Sequence, residues 1–158
     1  MASLSSEEVE FLRESNAIEG VTDDLSLQQA AFAWTYLKEQ KKLTLTILLK
    51  THKIISLNSN LYPNEKGYFR EVPVWVGGRE GANWITIRTQ LKYWLEKMND
   101  KTPMDWKRLH VDYERIHPFV DFNGRTGRIF LNWYRLKIGL PILIIKDAEK
   151  QAYYQWFK

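Results

Sequence analysis

The sequence predicts a mainly α-helical fold carrying one small β-hairpin. Apolar residues recur at three- and four-residue steps over most of the chain, which is the helical period. A β-favouring run ended by turn residues occurs once, between Phe69 and Gly78. No cysteine is present, so neither a disulfide framework nor a thiolate zinc site stands in for a core. With 158 residues, 44% of them hydrophobic and 14% aromatic, the chain is long and apolar enough to bury a core of its own. It is expected to be a single domain spanning 1–158.

The elements follow in order. Ser5 to Glu8 reads S-x-x-E, a capping box that opens a short helix through Val9, Leu12 and Arg13, with Gly20 placed to end it. Leu27, Ala30, Ala31, Trp34 and Leu37 mark a core helix, and Ile47, Leu48, Ile54 and Ile55 another. Asn58 to Lys66 has loop chemistry. Phe69, Val72, Val74 and Val76 then form a strand-like run that Gly77 and Gly78 end, and Pro73 places it at an edge, so a hairpin or flap is predicted there. Ile87, Leu91, Trp94, Leu95 and Met98 mark a further helix. Trp106, Leu109, Tyr113 and Ile116 mark another that reaches His117 and is stopped by Pro118. Ile129, Phe130, Trp133 and Leu136 form the next, ended by Gly139 and Pro141, and an amphipathic stretch from Asp147 to Phe157 closes the chain.

Charge and composition narrow the function classes. The net charge is +4 and the pI near 9.2, but the basic residues are spread without a block, so no nucleic-acid partner is expected. The first ten residues are polar and acidic where a secretory leader needs a basic start and an apolar run. No stretch approaches a membrane span, so no membrane partner and a cytoplasmic location are expected. The three His residues are too scattered for a histidine-rich metal site.

Chemistry concentrates in residues 117–128, His-Pro-Phe-Val-Asp-Phe-Asn-Gly-Arg-Thr-Gly-Arg, between two predicted helices. His117 is an imidazole at a helix end, able to act as a general base near neutral pH. Asp121 offers the hard oxygen that Mg²⁺ takes together with phosphates and water. Asn123 and the N–H groups around Gly124 face the start of the next helix, where an anion is favoured. Arg125 and Arg128, three apart on that helix, can both fork onto phosphate oxygens. Taken singly, His117 can be a capping residue, Asp121 a turn former and the arginines a solvated face. Together they describe a polyphosphate cradle with a metal ligand and a base.

The segment resembles the Fic (filamentation induced by cAMP) signature, H-x-F-x-[D/E]-G-N-G-R-x-x-R, at every defined position but one. The resemblance implies a Fic-type helical domain with a β-hairpin flap at 67–78, a catalytic loop at 117–128, and a protein adenylyltransferase that moves AMP from ATP, with Mg²⁺, to a Tyr, Thr or Ser hydroxyl. By the same resemblance His117 takes the proton of the target hydroxyl and Asp121 holds Mg²⁺ across the α- and β-phosphates. Asn123, Gly124 and Arg125 bind phosphates, Arg128 reaches the γ-phosphate, and Phe119 anchors the loop in the core. Phe122 departs from the pattern, which has Gly; its N–H remains available to phosphate, but a bulky residue tolerates positive φ poorly, so a different loop conformation is expected if the family's requires it. Relatives with Ala at this place transfer other phosphate-linked groups. Transfer of such a group, removal of AMP, or nucleotide binding without turnover are therefore the alternatives.

Two further stretches extend the resemblance. Gly67 to Arg70 and Val74 to Gly78 resemble the flap that holds a target protein by strand addition, with Val76, Gly77, Gly78 and Arg79 near the nucleotide base. Tyr153 and Tyr154 resemble a tyrosine pair of which the first packs on adenine. Ser15 to Gly20 resembles the family's inhibitory motif, [S/T]-x-x-x-E-[G/N], within an N-terminal segment 1–24. That resemblance implies that Glu19 pairs with Arg128 and denies it to the γ-phosphate, and self-modification is among its implications once this restraint is lifted.

Overall fold

The computed structural model describes residues 3–158; Met1 and Ala2, at the start of the expected N-terminal segment, lie outside them. The described residues form seven α-helices and one two-stranded hairpin, so the mainly α expectation holds. Helix α1, Ser6–Ile18, starts on the capping box: the Ser5 hydroxyl accepts from the Glu8 N–H at 3.1 Å, and Glu8 Oε1 accepts from the Ser5 N–H at 3.0 Å. The other Glu8 oxygen takes Trp34 Nε1 at 2.6 Å and Lys38 Nζ at 2.8 Å, joining α1 to α2, Asp24–Lys38. Partial burial alone would push the Glu8 carboxyl up. These three donors, together with the positive charge of Lys38, outweigh it and hold the group at about 2.

Helices α3, Leu45–Ser56, and α5, Trp106–Ile116, begin on Thr44 and Asp105, whose side chains accept from backbone N–H groups of the first turn; α4, Ile87–Met98, has no side-chain cap of this kind. Helix α6, Asn123–Lys137, is buried at 12 of its 15 positions, and a helix buried nearly all round must be central. It packs on α5 and also on α1, α2 and α3. The short α7, Lys150–Tyr154, packs its Tyr153 with Ile18, Leu131 and Ile145 in a satellite cluster beside the main core.

The strand-like run is shorter than the sequence predicts. Only Trp75–Val76 (β1) and Arg79–Glu80 (β2) pair, in register Trp75 with Glu80 and Val76 with Arg79. Gly77 and Gly78 have φ of 55° and 81°, the double positive φ of a tight hairpin turn. Residues 69–74 are drawn to the end of α5 instead. The Arg70 N–H donates to the Pro118 carbonyl at 3.0 Å. Its guanidinium, 2% exposed, bonds the carbonyls of His117, Val72, Ala82 and Ile116. This one side chain therefore ties the base of the flap to the start of the 117–128 loop. Arg70→Met strands four acceptors and is expected to cost about 2–4 kcal/mol, read as a lower denaturant midpoint. An unchanged midpoint would show that water replaces the guanidinium.

Candidate active site

His117 ends α5 in the left-handed region, φ 50° and ψ 63°. Pro118 disfavours the helical region for the residue before it, so the chain turns there. His117 Nδ1 lies 3.2 Å from the Glu114 carbonyl, which can only accept; Nδ1 therefore carries the proton and Nε2 keeps its lone pair. Burial, more than any neighbouring charge, pushes this imidazole below its usual pKa. It is neutral at pH 7, as a general base must be.

The loop that follows is held from beneath. Phe119 is fully buried and stacks on the His52 ring at 3.7 Å. His52 accepts from the Gly67 N–H at 2.9 Å and donates to the Asp121 carbonyl at 3.0 Å, and burial lowers it to about 4. A neutral ring thus joins the start of the flap to the loop. The expectation for Asn123 needs correcting: its amide accepts from the Phe119 N–H at 2.9 Å and donates to the Phe119 carbonyl at 2.8 Å. Both ends are spent on closing the loop, which leaves the backbone N–H of Asn123 to face a ligand.

Phe122 also departs from expectation. It adopts φ 68° and ψ 19°, a glycine-like conformation that costs a non-glycine residue on the order of 1–2 kcal/mol. Its ring, 7% exposed, is set edge-on to His52 and lies under the Arg125 guanidinium at 3.6 Å, so burial and a cation–π contact offset the strain. The Phe that stands where the pattern has Gly thus adopts a positive φ itself. Arg125 is accordingly turned inward, with Nη2 3.7 Å from Asp121 Oδ1, rather than standing on a solvated face.

Asp121 is 59% exposed and its Oδ1 accepts from the Phe122 N–H at 2.7 Å. Among the described residues no three His, Cys, Asp or Glu side chains converge on a point that a metal would need. Mg²⁺ bound with a nucleotide uses one or two carboxylates and completes its shell with phosphate and water. One accessible carboxylate beside a helix N-terminus fits that mode and does not fit a protein-only cage.

At the start of α6 the first helical bond runs from the Thr126 N–H to the Phe122 carbonyl, so the N–H groups of Asn123, Gly124 and Arg125 precede the ladder and favour an anion. Glu19 already approaches this place: a Cβ on Gly124 would lie 3.4 Å from Glu19 Oε2 and 3.0 Å from Arg128 Nη1. Arg128, 3% exposed, donates from Nε to the Ser15 hydroxyl at 2.7 Å and from Nη2 to the Ser15 carbonyl at 3.0 Å. Glu19 Oε1 is 3.6 Å from Nη2. The structure thus brings together Ser15, Glu19, Gly124 and Arg128.

Tyr153 requires a correction. It is 4% exposed and enclosed by Trp156, Phe157 and His110, with its hydroxyl 2.6 Å from His110 Nε2 and 3.4 Å from Arg128 Nη1. Its ring is core and supports Arg128, leaving no face for adenine; Tyr154, 37% exposed, is the member of the pair open to solvent. On the flap, Val76 is half-buried and Gly77, Gly78 and Arg79 are exposed. None of the four hydrogen-bonds the 117–128 segment among the described residues. The base of the hairpin comes nearer, a Cβ on Gly81 falling 3.6 Å from His117 Cβ. Arg70 enters the sequence reading only as part of the flap resemblance; sequence reasoning passed over His52, His110 and Glu114, which lie outside the motifs. Their one local signal is a polar residue on an otherwise apolar helix face, as His52 is between Leu48 and Ile55.

Residues 42–135 match the Fic/DOC family, and the chain belongs to it. Curated relatives include the protein adenylyltransferase Fic of Drosophila mojavensis, 34% identical over 122 residues, covering 73% of this chain and 24% of the relative. That of Drosophila grimshawi is 32% identical over 128 residues, covering 77% and 26%. The chain therefore spans about a quarter of the length of these relatives. Among solved structures, Fic-1 (residues 134–508) of C. elegans superposes with a TM-score of 0.81 at 22% identity, over 96% of this chain and 55% of that one. A Fic domain containing signaling protein of Bacteroides thetaiotaomicron gives 0.80 at 21%, over 94% and 69%. At such identities these likenesses establish the fold.

Proposed function

We propose that this chain is a protein adenylyltransferase domain that moves AMP from ATP to a Tyr, Thr or Ser hydroxyl of a target protein and is restrained by Glu19. The observation that carries the proposal is a neutral His117, its proton fixed on Nδ1, set in one loop with the free N–H groups that open α6. Relatives named for this activity support it. His117 Nε2 takes the hydroxyl proton as the target oxygen attacks the α-phosphorus. The bond from that phosphorus to the bridging oxygen breaks, and pyrophosphate leaves. The N–H groups of Asn123, Gly124 and Arg125 hold the phosphates, and Arg128 takes the γ-phosphate once Glu19 is displaced. Asp121 is the residue that would hold Mg²⁺, which neutralises phosphate charge when bound. The flap, with Val76 to Arg79 at its tip, is the edge on which a target segment adds as a strand, and a segment of the chain itself can take that place. The positive φ of Phe122 favours AMP transfer over another group, because the Phe leaves the loop a glycine-like turn.

The test is to incubate a Glu19→Gly variant with each of the four ribonucleoside triphosphates and cell lysate and to identify modified peptides by mass spectrometry. AMP on Tyr, Thr or Ser is expected, from ATP and with Mg²⁺ added. Adducts of another group, or ATP bound with no adduct at all, would overturn the reading.

A further inference from the structure

The nitrogens of the Arg128 guanidinium are divided between two helices. Ser15 on α1 holds Nε and Nη2, and Glu19, just past the end of α1, approaches Nη2. Nη1 donates instead to the Tyr153 hydroxyl on α7 at 3.4 Å, with the guanidinium carbon 5.7 Å from the centre of that ring. Both terminal nitrogens lie beside the first turn of α6, since a Cβ on Gly124 would fall 3.0 Å from Nη1 and 3.4 Å from Nη2. Tyr153 is thus a partner of Arg128 that does not belong to the segment carrying Glu19, and it stays in place when that carboxylate is removed.

A tyrosine hydroxyl can donate or accept, and the group behind it decides which. His110 Nδ1 is 3.2 Å from the Gly127 carbonyl, which only accepts, so Nδ1 carries the proton and Nε2 keeps its lone pair. Nε2 lies 2.6 Å from the Tyr153 oxygen and therefore takes the hydroxyl proton. The oxygen's lone pairs are left for Arg128, which has donors only. One assignment of protons satisfies all three contacts: guanidinium to hydroxyl, hydroxyl to imidazole, imidazole to carbonyl. Burial lowers His110 to about 3, so the ring is neutral and the direction holds across the neutral range. A hydroxyl that donates in such a chain is the stronger acceptor for it.

The chain is held rigidly. Tyr153 is 4% exposed and His110 2%, and Trp156 and Phe157 pack against both rings. A Cβ on Gly127 would lie 3.2 Å from His110 Cε1 and 2.5 Å from Glu114 Oε1, so the close approach of α5 to α6 needs a glycine there. A planar guanidinium tied at Nε and Nη1 has its plane fixed. Nη2, the nitrogen that Glu19 approaches, is then presented to whatever takes the place of that carboxylate. We propose that the Tyr153 hydroxyl, oriented by His110, is a positioning residue that sets Arg128 for the γ-phosphate from the side of the site that carries no restraint. The inference rests on the reading of Arg128 as the γ-phosphate ligand.

The experiment works in the Glu19→Gly background and measures affinity for ATP and for ADP by calorimetry, which needs no transfer. Adding Tyr153→Phe keeps the ring and removes the acceptor. It should weaken ATP by roughly 3- to 10-fold, the loss of one hydrogen bond, and leave ADP, which has no γ-phosphate, nearly unchanged. The KM for ATP should rise more than kcat falls. His110→Leu, which lets the Tyr153 proton turn towards Arg128, should act in the same direction, and His110→Gln, which keeps an acceptor, should recover part of the loss. Each variant is judged by its own ratio of ATP to ADP affinity, so a general loosening of the fold, which weakens both nucleotides alike, is told apart from a misplaced Arg128. An equal loss of both nucleotides, an unchanged ratio in Tyr153→Phe or His110→Leu, or no recovery in His110→Gln overturns the inference. Arg128→Ala separates the two levels. If it keeps the full preference for ATP over ADP, the γ-phosphate role of Arg128 fails and that of Tyr153 with it. If it loses the preference while Tyr153→Phe keeps it, the role of Tyr153 alone is removed.

Discussion

His117→Ala is expected to lose transfer by about two to four orders of magnitude, the usual cost of removing a general base, while affinity for ATP changes little. The imidazole hydrogen-bonds the Glu114 carbonyl and no group that the triphosphate needs, so its removal should not disturb the phosphate ligands. The pH dependence follows from the same geometry. Burial lowers the pKa of His117, so the base form predominates at neutral pH, and the acid limb of transfer should lie below the ordinary imidazole value. Transfer by Glu19→Gly, which is free of the restraint, is the assay for that acid limb. A loss of ATP binding as large as the loss of turnover, measured by calorimetry beside the rate, would make His117 a structural residue.

The parts legible in the sequence are those whose causes are local. Ser5 and Glu8 form the expected capping box because its partners are three residues apart, and Pro118 stops α5 because its ring acts on the residue before it. The 117–128 segment was legible for the same reason, its groups being contiguous. The juxtaposition of Glu19 and Arg128 was legible only through a resemblance, since no periodicity links the end of α1 to the first turns of α6. What escaped depends on packing between distant elements. Asn123 looks like a ligand-facing amide until Phe119 is seen to take both its ends. Phe122 looks incompatible with positive φ until His52 and Arg125 are placed against its ring. The strand expected across Phe69 to Val74 gives way because the buried Arg70 guanidinium gathers carbonyls from the end of α5 and from the flap, which no alternation pattern records.

Glu19→Gly is expected to raise transfer and self-modification by roughly 5- to 150-fold, the range that a coupling of about 1–3 kcal/mol gives. The argument is one of charge and place. The carboxylate stands 3.6 Å from Arg128 Nη2 and reaches the first turn of α6 at Gly124; under the proposed function it thereby occupies a phosphate ligand and puts negative charge where the triphosphate would lie. Ser15 holds the same guanidinium through its hydroxyl and its carbonyl, which fixes Arg128 in the orientation that Glu19 meets. Ser15→Ala should therefore loosen the pair and raise transfer by less than Glu19→Gly does. In a Glu19→Gly, Arg128→Ala double variant the gain should vanish, because the arginine that the restraint withholds is then absent. Thermal unfolding of that variant beside Glu19→Gly separates loss of the ligand from loss of the fold. If wild type and Glu19→Gly label targets equally across ATP concentrations, Ser15 to Gly20 is an ordinary helix end in this protein. If the double variant keeps the gain while folded, the carboxylate acts on something other than Arg128.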